Sequence, residues 1–208
     1  MTVAADKIRG NRIGKIFTAA FVVSIFAVSI CGCGKEKNTE TKLSINKEGN
    51  ITSVIFDEFG KDYYDLSELQ DMAADEISYY NSEYDEPKIT LEESELSEDG
   101  QVSLKMVYSN YIDYAHFNQV TFFYGTVAEA TNKGFSVSGD LVGTDGRQIV
   151  LDEINDLNDR HIIITGDKTG IVAPYNISYT TKGVNVKDKK EADLSGVTVD
   201  VVQLLLSK

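Results

Sequence analysis

Both cysteines of this 208-residue chain, Cys31 and Cys33, stand near its start, so whatever folds beyond them is held without a covalent cross-link between cysteines. No disulfide, thiolate nucleophile or cysteine-ligated metal is open to that region. The segment that carries the cysteines has a pattern of its own. Lys7, Arg9, Arg12 and Lys15 make a basic start, Ile16 to Ile30 run apolar for 15 residues, and small Gly32 precedes Cys33. A spanning helix needs roughly 20 apolar residues, so the shorter run reads as an export signal over residues 1–32, cut before Cys33.

Ile30-Cys31-Gly32-Cys33 resembles the lipobox of bacterial lipoproteins. Cys33 fits it better than Cys31, which follows the bulky Ile30. The resemblance implies a diacylglyceryl thioether on Cys33 and a place on the extracellular face of the cell membrane. At roughly 0.8 kcal/mol per buried methylene, two acyl chains hold a protein there without help from its domain. Residues Gly34 to Lys42, GKEKNTETK, are polar and aperiodic, which suits a flexible tether. Residues 43–208 are then expected to form one domain, with a subdomain boundary near Gly134 as the alternative division.

Cutting before Cys33 removes four of the chain's 20 basic residues and one of its 33 acidic ones, leaving 16 against 32 and a net charge of −16. Such a surface repels phosphate backbones and anionic headgroups, so nucleic acid is not an expected partner.

The elements follow from local chemistry. Leu43–Ile45 and Ile51–Phe56 are β-rich around a Lys47-Glu48-Gly49-Asn50 turn, which predicts a hairpin. Asp65-Leu66-Ser67-Glu68 has capping-box spacing. Leu66, Leu69, Ala73, Ile77, Tyr80 and Tyr84 then recur every three or four residues, the stripe of an amphipathic helix. A second hairpin is expected over Lys88–Glu95 and Gln101–Tyr108. It is followed by a short helix within Ser109–Asn118, a strand over Val120–Tyr124, and a helix capped by Thr126 and stopped at Gly134. Beyond, strands are expected at 135–142, 148–151, 162–165, 171–173, 177–180 and 197–206, with a short helix over Asp152–Leu157. The fold class expected is α+β: an antiparallel β-sheet packed against one long amphipathic helix plus two or three short ones.

Motifs for catalysis are weak. Ser44-Ile45-Asn46-Lys47, Tyr79-Tyr80-Asn81 and Lys168-Thr169-Gly170 match the short patterns of penicillin-recognising serine enzymes, yet Ser44 falls in an expected strand rather than opening a helix. No GxSxG, HExxH or complete calcium-loop pattern occurs, and no metal or cofactor is expected. Asp113 and His116, three residues apart on a helix, are the candidate acid–base pair of an envelope hydrolase. A helix that only packs Tyr114 and Phe117 explains the same residues. Adjacent acids such as Asp57 and Glu58 point to opposite faces of a strand and cannot converge on one bond.

Nine of the eleven tyrosines lie between Tyr63 and Tyr124. Tyrosine offers a wide apolar face and a hydroxyl at low entropic cost. Tyr63, Tyr64, Tyr111 and Tyr114 are the expected exposed members of a binding surface. The stretches FDEFGKDYYD (Phe56–Asp65) and DYAHFNQVTFFYGTVAEA (Asp113–Ala130), within Ile51–Gly134, resemble small lipoproteins of Gram-positive clostridial bacteria. The resemblance implies a surface-anchored single module and brings no catalytic residue with it. The function expected is non-enzymatic binding of a protein or envelope partner, with a carboxylate hydrolase or a structural spacer as the alternatives.

Overall fold

A computed structural model describes residues 40–150 and 157–208. Cys33, the signal segment and most of the tether lie outside the described residues, as does all but the last residue of the helix expected over Asp152–Leu157. The architecture is mixed α/β, with two sheets of largely antiparallel strands and three helices among the described residues.

β1 (Lys42–Ile45) and β2 (Ile51–Glu58) form the first hairpin. Its turn closes because the Asn50 N–H donates to Asn46 Oδ1 at 2.9 Å while Gly49 takes a φ of 90°, a conformation that costs glycine little. α1 (Leu66–Asn81) follows, with the Asp65 carboxylate accepting from the Ser67 and Glu68 N–H groups. Its buried residues are Leu69, Ala73 and Ile77, one every fourth position. The helix ends before Tyr84, which is exposed. Asn81 fastens that end: its Oδ1 accepts from the Lys88 and Ile89 N–H groups at 2.8 and 3.0 Å, and its Nδ2 donates to the Ile89 carbonyl at 2.8 Å.

β3 (Ile89–Leu96) and β4 (Gln101–Tyr108) make the second hairpin, and β4 pairs along all eight residues of β2. Strict alternation buries Val102, Leu104, Met106 and Tyr108. α2 (Tyr111–Asn118) is capped by Asn110, β5 (Phe122–Thr126) follows, and α3 (Val127–Asn132) opens with a complete capping box of Thr126 and Glu129.

The later half departs from a single sheet. β6 (Val142–Gly143), β7 (His161–Thr165), β9 (Ile177–Thr180) and β12 (Val202–Leu206) join β5 in a five-stranded sheet of order β5-β7-β12-β9-β6. β8 (Gly170–Val172), β10 (Asn185–Asp188) and β11 (Glu191–Asp193) extend the first sheet to seven strands, β10-β11-β8-β1-β2-β4-β3, through a parallel β1–β8 pairing.

Three strand expectations fail for identifiable reasons. Over residues 135–141 no strand forms, because the Gln203 side chain takes up the backbone instead, accepting from the Ser138 N–H at 2.9 Å and donating to the Ser136 carbonyl at 2.8 Å. Of the strand expected at 148–151, whose last residue lies outside the described ones, only one isolated bridge from Gln148 to Val142 forms. Before β12, Val199 and Val201 are exposed, and the carbonyls of Val199 and Asp200 accept from the Lys168 ammonium rather than from a strand. β10 and β11 were not expected because an edge hairpin reading NVKD and EAD carries little apolar alternation.

The largest core cluster draws Leu43, Ile51 and Met106 from the first sheet and Ile163, Val202 and Leu204 from the second, thus from both sides of Gly134. Another collects Phe123, Val127, Leu141, Ile162 and Ile164, so β7 is buried on both faces. A third gathers Leu69 of α1 with Val102 and Leu104 of β4.

Candidate functional site

The loop from β2 to α1 builds an aromatic platform outward from the core. At its root the Phe59 N–H donates to the Gly100 carbonyl at 2.7 Å, and the Phe59 ring packs on the Leu69–Leu104 cluster. Gly100, at φ 74°, lets the two turns meet: a Cβ there would stand 3.2 Å from the Gly60 Cα. The Tyr64 N–H closes a turn onto the Lys61 carbonyl at 2.9 Å. That turn lays the Tyr64 ring on Phe59 at a centroid separation of 4.8 Å and an interplanar angle of 20°. Tyr63 meets Tyr64 edge to face at 4.8 Å, geometry that aromatic quadrupoles favour. The stack thus runs from half-buried Phe59 through Tyr64, 39% exposed, to Tyr63, 73% exposed.

A cation sits on this platform. Lys61 Nζ lies 5.8 Å from the Tyr63 centroid and 5.6 Å from that of Tyr64, within cation–π range of both. The Tyr63 phenol, with that of Tyr64, holds its ammonium above the usual lysine range. Glu58 and Asp62 on the same loop, and Glu98 and Asp99 on the turn that ends at Gly100, are exposed. Such a surface can stack a flat or apolar group and attract positive charge.

The other two tyrosines of the expected surface lie elsewhere. Tyr111 is half-buried and packs edge-on against Phe123 at 5.1 Å. Tyr114 is 5% exposed, which corrects its expected exposure. It sits on the inward face of α2, between Tyr108 and Phe122 at 5.0 Å from each, and donates its hydroxyl to Asp167 Oδ2 at 2.8 Å. Burial pushes the Tyr114 phenol up. Burial also raises the Asp167 carboxyl, against the opposing pull of the Tyr114 hydrogen bond and the Lys168 charge.

Asp113 and His116 are not brought together. Asp113 is 4% exposed, with Oδ1 accepting from the Tyr80 hydroxyl at 3.0 Å, whereas His116 points to solvent. The Tyr84 hydroxyl in turn donates to Tyr80 at 3.3 Å. This Tyr84–Tyr80–Asp113 chain joins the end of α1 to the start of α2, and only the helical spacing of Tyr80 and Tyr84 hinted at it. The second histidine, His161, lies between the rings of Tyr124 and Tyr175, at 5.3 and 5.1 Å. Its Nδ1 is 2.9 Å from the Lys208 carbonyl. A carbonyl only accepts, so the proton of that bond is on Nδ1.

The penicillin-type fragments do not form a site signature either. Ser44 lies in β1, and Lys168-Thr169 belongs to the connection from β7 to β8. Among the described residues no group of three or more His, Cys, Asp or Glu side chains could hold a metal ion, and no helix is long and apolar enough to cross a membrane. A shallow groove of about 440 Å³ beside β6 and β9 is lined by Thr144, Thr180, Thr181 and Lys182, together with valines and glycines. Compared with family models, with curated proteins and with solved structures, the chain matches none.

Proposed function

We propose that this protein is a non-enzymatic binding module, anchored by lipidated Cys33 to the extracellular face of the cell membrane, which engages a protein or envelope partner through Tyr63 and Tyr64. The observation that carries the reading is Tyr63 itself. A tyrosine 73% exposed, held edge-on to a second ring that is stacked on a third, is prepaid for binding, because the order a partner would otherwise impose is already there.

Residues 43–208 act as one domain in this reading, with α1 as the long helix covering an antiparallel sheet. Support comes from the core shared across Gly134 and from Leu69 in the cluster with Val102 and Leu104. The tether enters the described fold near the platform. Thr41 Oγ1 exchanges hydrogen bonds of 3.0 Å with the Phe56 main chain, three residues before Phe59, and the eight residues from Cys33 to Thr41 reach at most about 28 Å. The partner is therefore met close to the membrane.

Two experiments test the two halves. Cys33→Ala should abolish incorporation of labelled palmitate and release the protein from membranes; a variant still processed and membrane-bound overturns the anchor. For binding, a panel of cell-wall fragments, oligosaccharides and peptides should raise the melting temperature of the wild-type chain by stabilising its native state. The Tyr63→Ala/Tyr64→Ala variant should not respond. An equal response in both would show that the ligand does not bind through Tyr63 and Tyr64.

A further inference from the structure

The platform carries its own clue to the chemistry of its partner. Lys61 Nζ stands over both exposed rings, 5.8 and 5.6 Å from their centroids, so one ammonium already occupies the faces that a ligand would meet. The surroundings select the same charge. Glu58 and Asp62 flank the rings on the loop, and Glu98 and Asp99 stand on the turn that the Phe59 N–H joins at 2.7 Å. Neither ion pair among the described residues, Lys105–Glu92 or Lys187–Glu40, involves any of these four carboxylates. An exposed aromatic pair on a loop and turn that also carry four exposed carboxylates outside any ion pair attracts a cation through the ring quadrupole and through the local excess of negative charge, and it disfavours phosphate or carboxylate ligands.

We infer that the platform, taken as the docking surface proposed above, receives a lysine- or arginine-bearing segment of a partner protein, whose cation displaces Lys61 from the Tyr63 and Tyr64 rings. Lys61 is then a placeholder. It keeps the rings covered in the free protein and competes with the incoming side chain. Its removal should therefore strengthen binding, which neither a positioning role nor a contact role for Lys61 would do.

The test is fluorescence anisotropy of a labelled octalysine peptide with the full chain in non-ionic detergent, at fixed salt. Lys61→Ala should tighten binding by about 2–5-fold, the range of one exposed cation–π contact. Lys182→Ala, which removes the same charge from an exposed site away from the loop, should tighten it by less. Tyr63→Ala/Tyr64→Ala should weaken binding about tenfold, and Tyr79→Ala, which removes a ring 71% exposed on α1, should leave it unchanged. Equal effects of Lys61→Ala and Lys182→Ala, or weaker binding on losing Lys61, overturn the inference. A neutral N-acetylglucosamine oligomer is titrated in parallel. If the tyrosine pair controls that ligand and not octalysine, the docking surface stands and the cationic class falls. If it controls neither, both readings fall.

Discussion

Two buried tyrosine hydroxyls separate what a hydrogen bond contributes from what an aromatic ring contributes. Tyr114 donates to Asp167, while the hydroxyl of Tyr124 is buried without a protein partner. Losing a donor to a part-buried carboxylate costs about 1–3 kcal/mol, whereas deleting an unpaired hydroxyl costs little. Chemical denaturation should therefore show Tyr114→Phe destabilised by about that amount and Tyr124→Phe unchanged or slightly more stable. Asp167 adds a pH dependence of known sign. Burial raises its native carboxyl above the ordinary 3.8, so the native state binds the proton more tightly than the unfolded chain does. Its contribution to stability is then fullest below 3.8 and is lost as pH rises through the raised native value. Asp167→Asn should remove that loss, so the variant's advantage over wild type should grow with pH through this window. An advantage that shrinks instead would show the native carboxyl to be lowered. None of these pairings was legible in the sequence, because Tyr114 and Asp167 are 53 residues apart and nothing local couples them.

At the scale of elements, local chemistry was readable wherever it decided the outcome. Asp65 and Thr126 cap their helices by side-chain acceptance from the first turn, and Gly49 and Gly100 take the left-handed turns that close two hairpins. What could not be read was competition between a strand and a distant side chain. Gln203 and Lys168 satisfy backbone groups that alternation alone assigns to strands. Asn81 is the clearest long-reach fastening of this kind, with three hydrogen bonds from the last turn of α1 to the start of β3. Asn81→Ala leaves two part-buried N–H groups without their acceptor, at a cost of about 1–3 kcal/mol. Hydrogen exchange should report it as faster exchange at Lys88 and Ile89, and unchanged rates there would mean water replaces the side chain without loss.

For the whole molecule, the β-rich segments, turns and capped helices foretold a mixed helix-and-strand fold but not its division into two sheets. The reason lies in β1, whose parallel pairing with β8 and antiparallel pairing with β2 bring residues 42–45 and 170–172 together, a choice that no local pattern encodes. β12 is the centre of the second sheet, paired on both sides, with Val202, Leu204, Leu205 and Leu206 buried. Deleting residues 202–208 should abolish cooperative unfolding; a truncated chain that still melts in one sharp transition would contradict that role. The candidate site was half legible. Tyr63 and Tyr64 stand out in the sequence, and their exposure follows from a short acidic loop, whereas Tyr114 turns inward because the period of α2 places it over Tyr108 and Phe122.

The proposed contact of Tyr63 and Tyr64 with a partner at the cell surface rests on the exposed, pre-ordered Tyr63 ring. It is tested most directly by placing a photo-crosslinking residue at position 63 and, separately, at position 79. The native tyrosines at these sites are almost equally exposed, 73% and 71%, but only Tyr63 belongs to the platform. A discrete adduct is expected from position 63 in intact cells and none from position 79. Adducts of equal yield at both sites, or at neither, would contradict it.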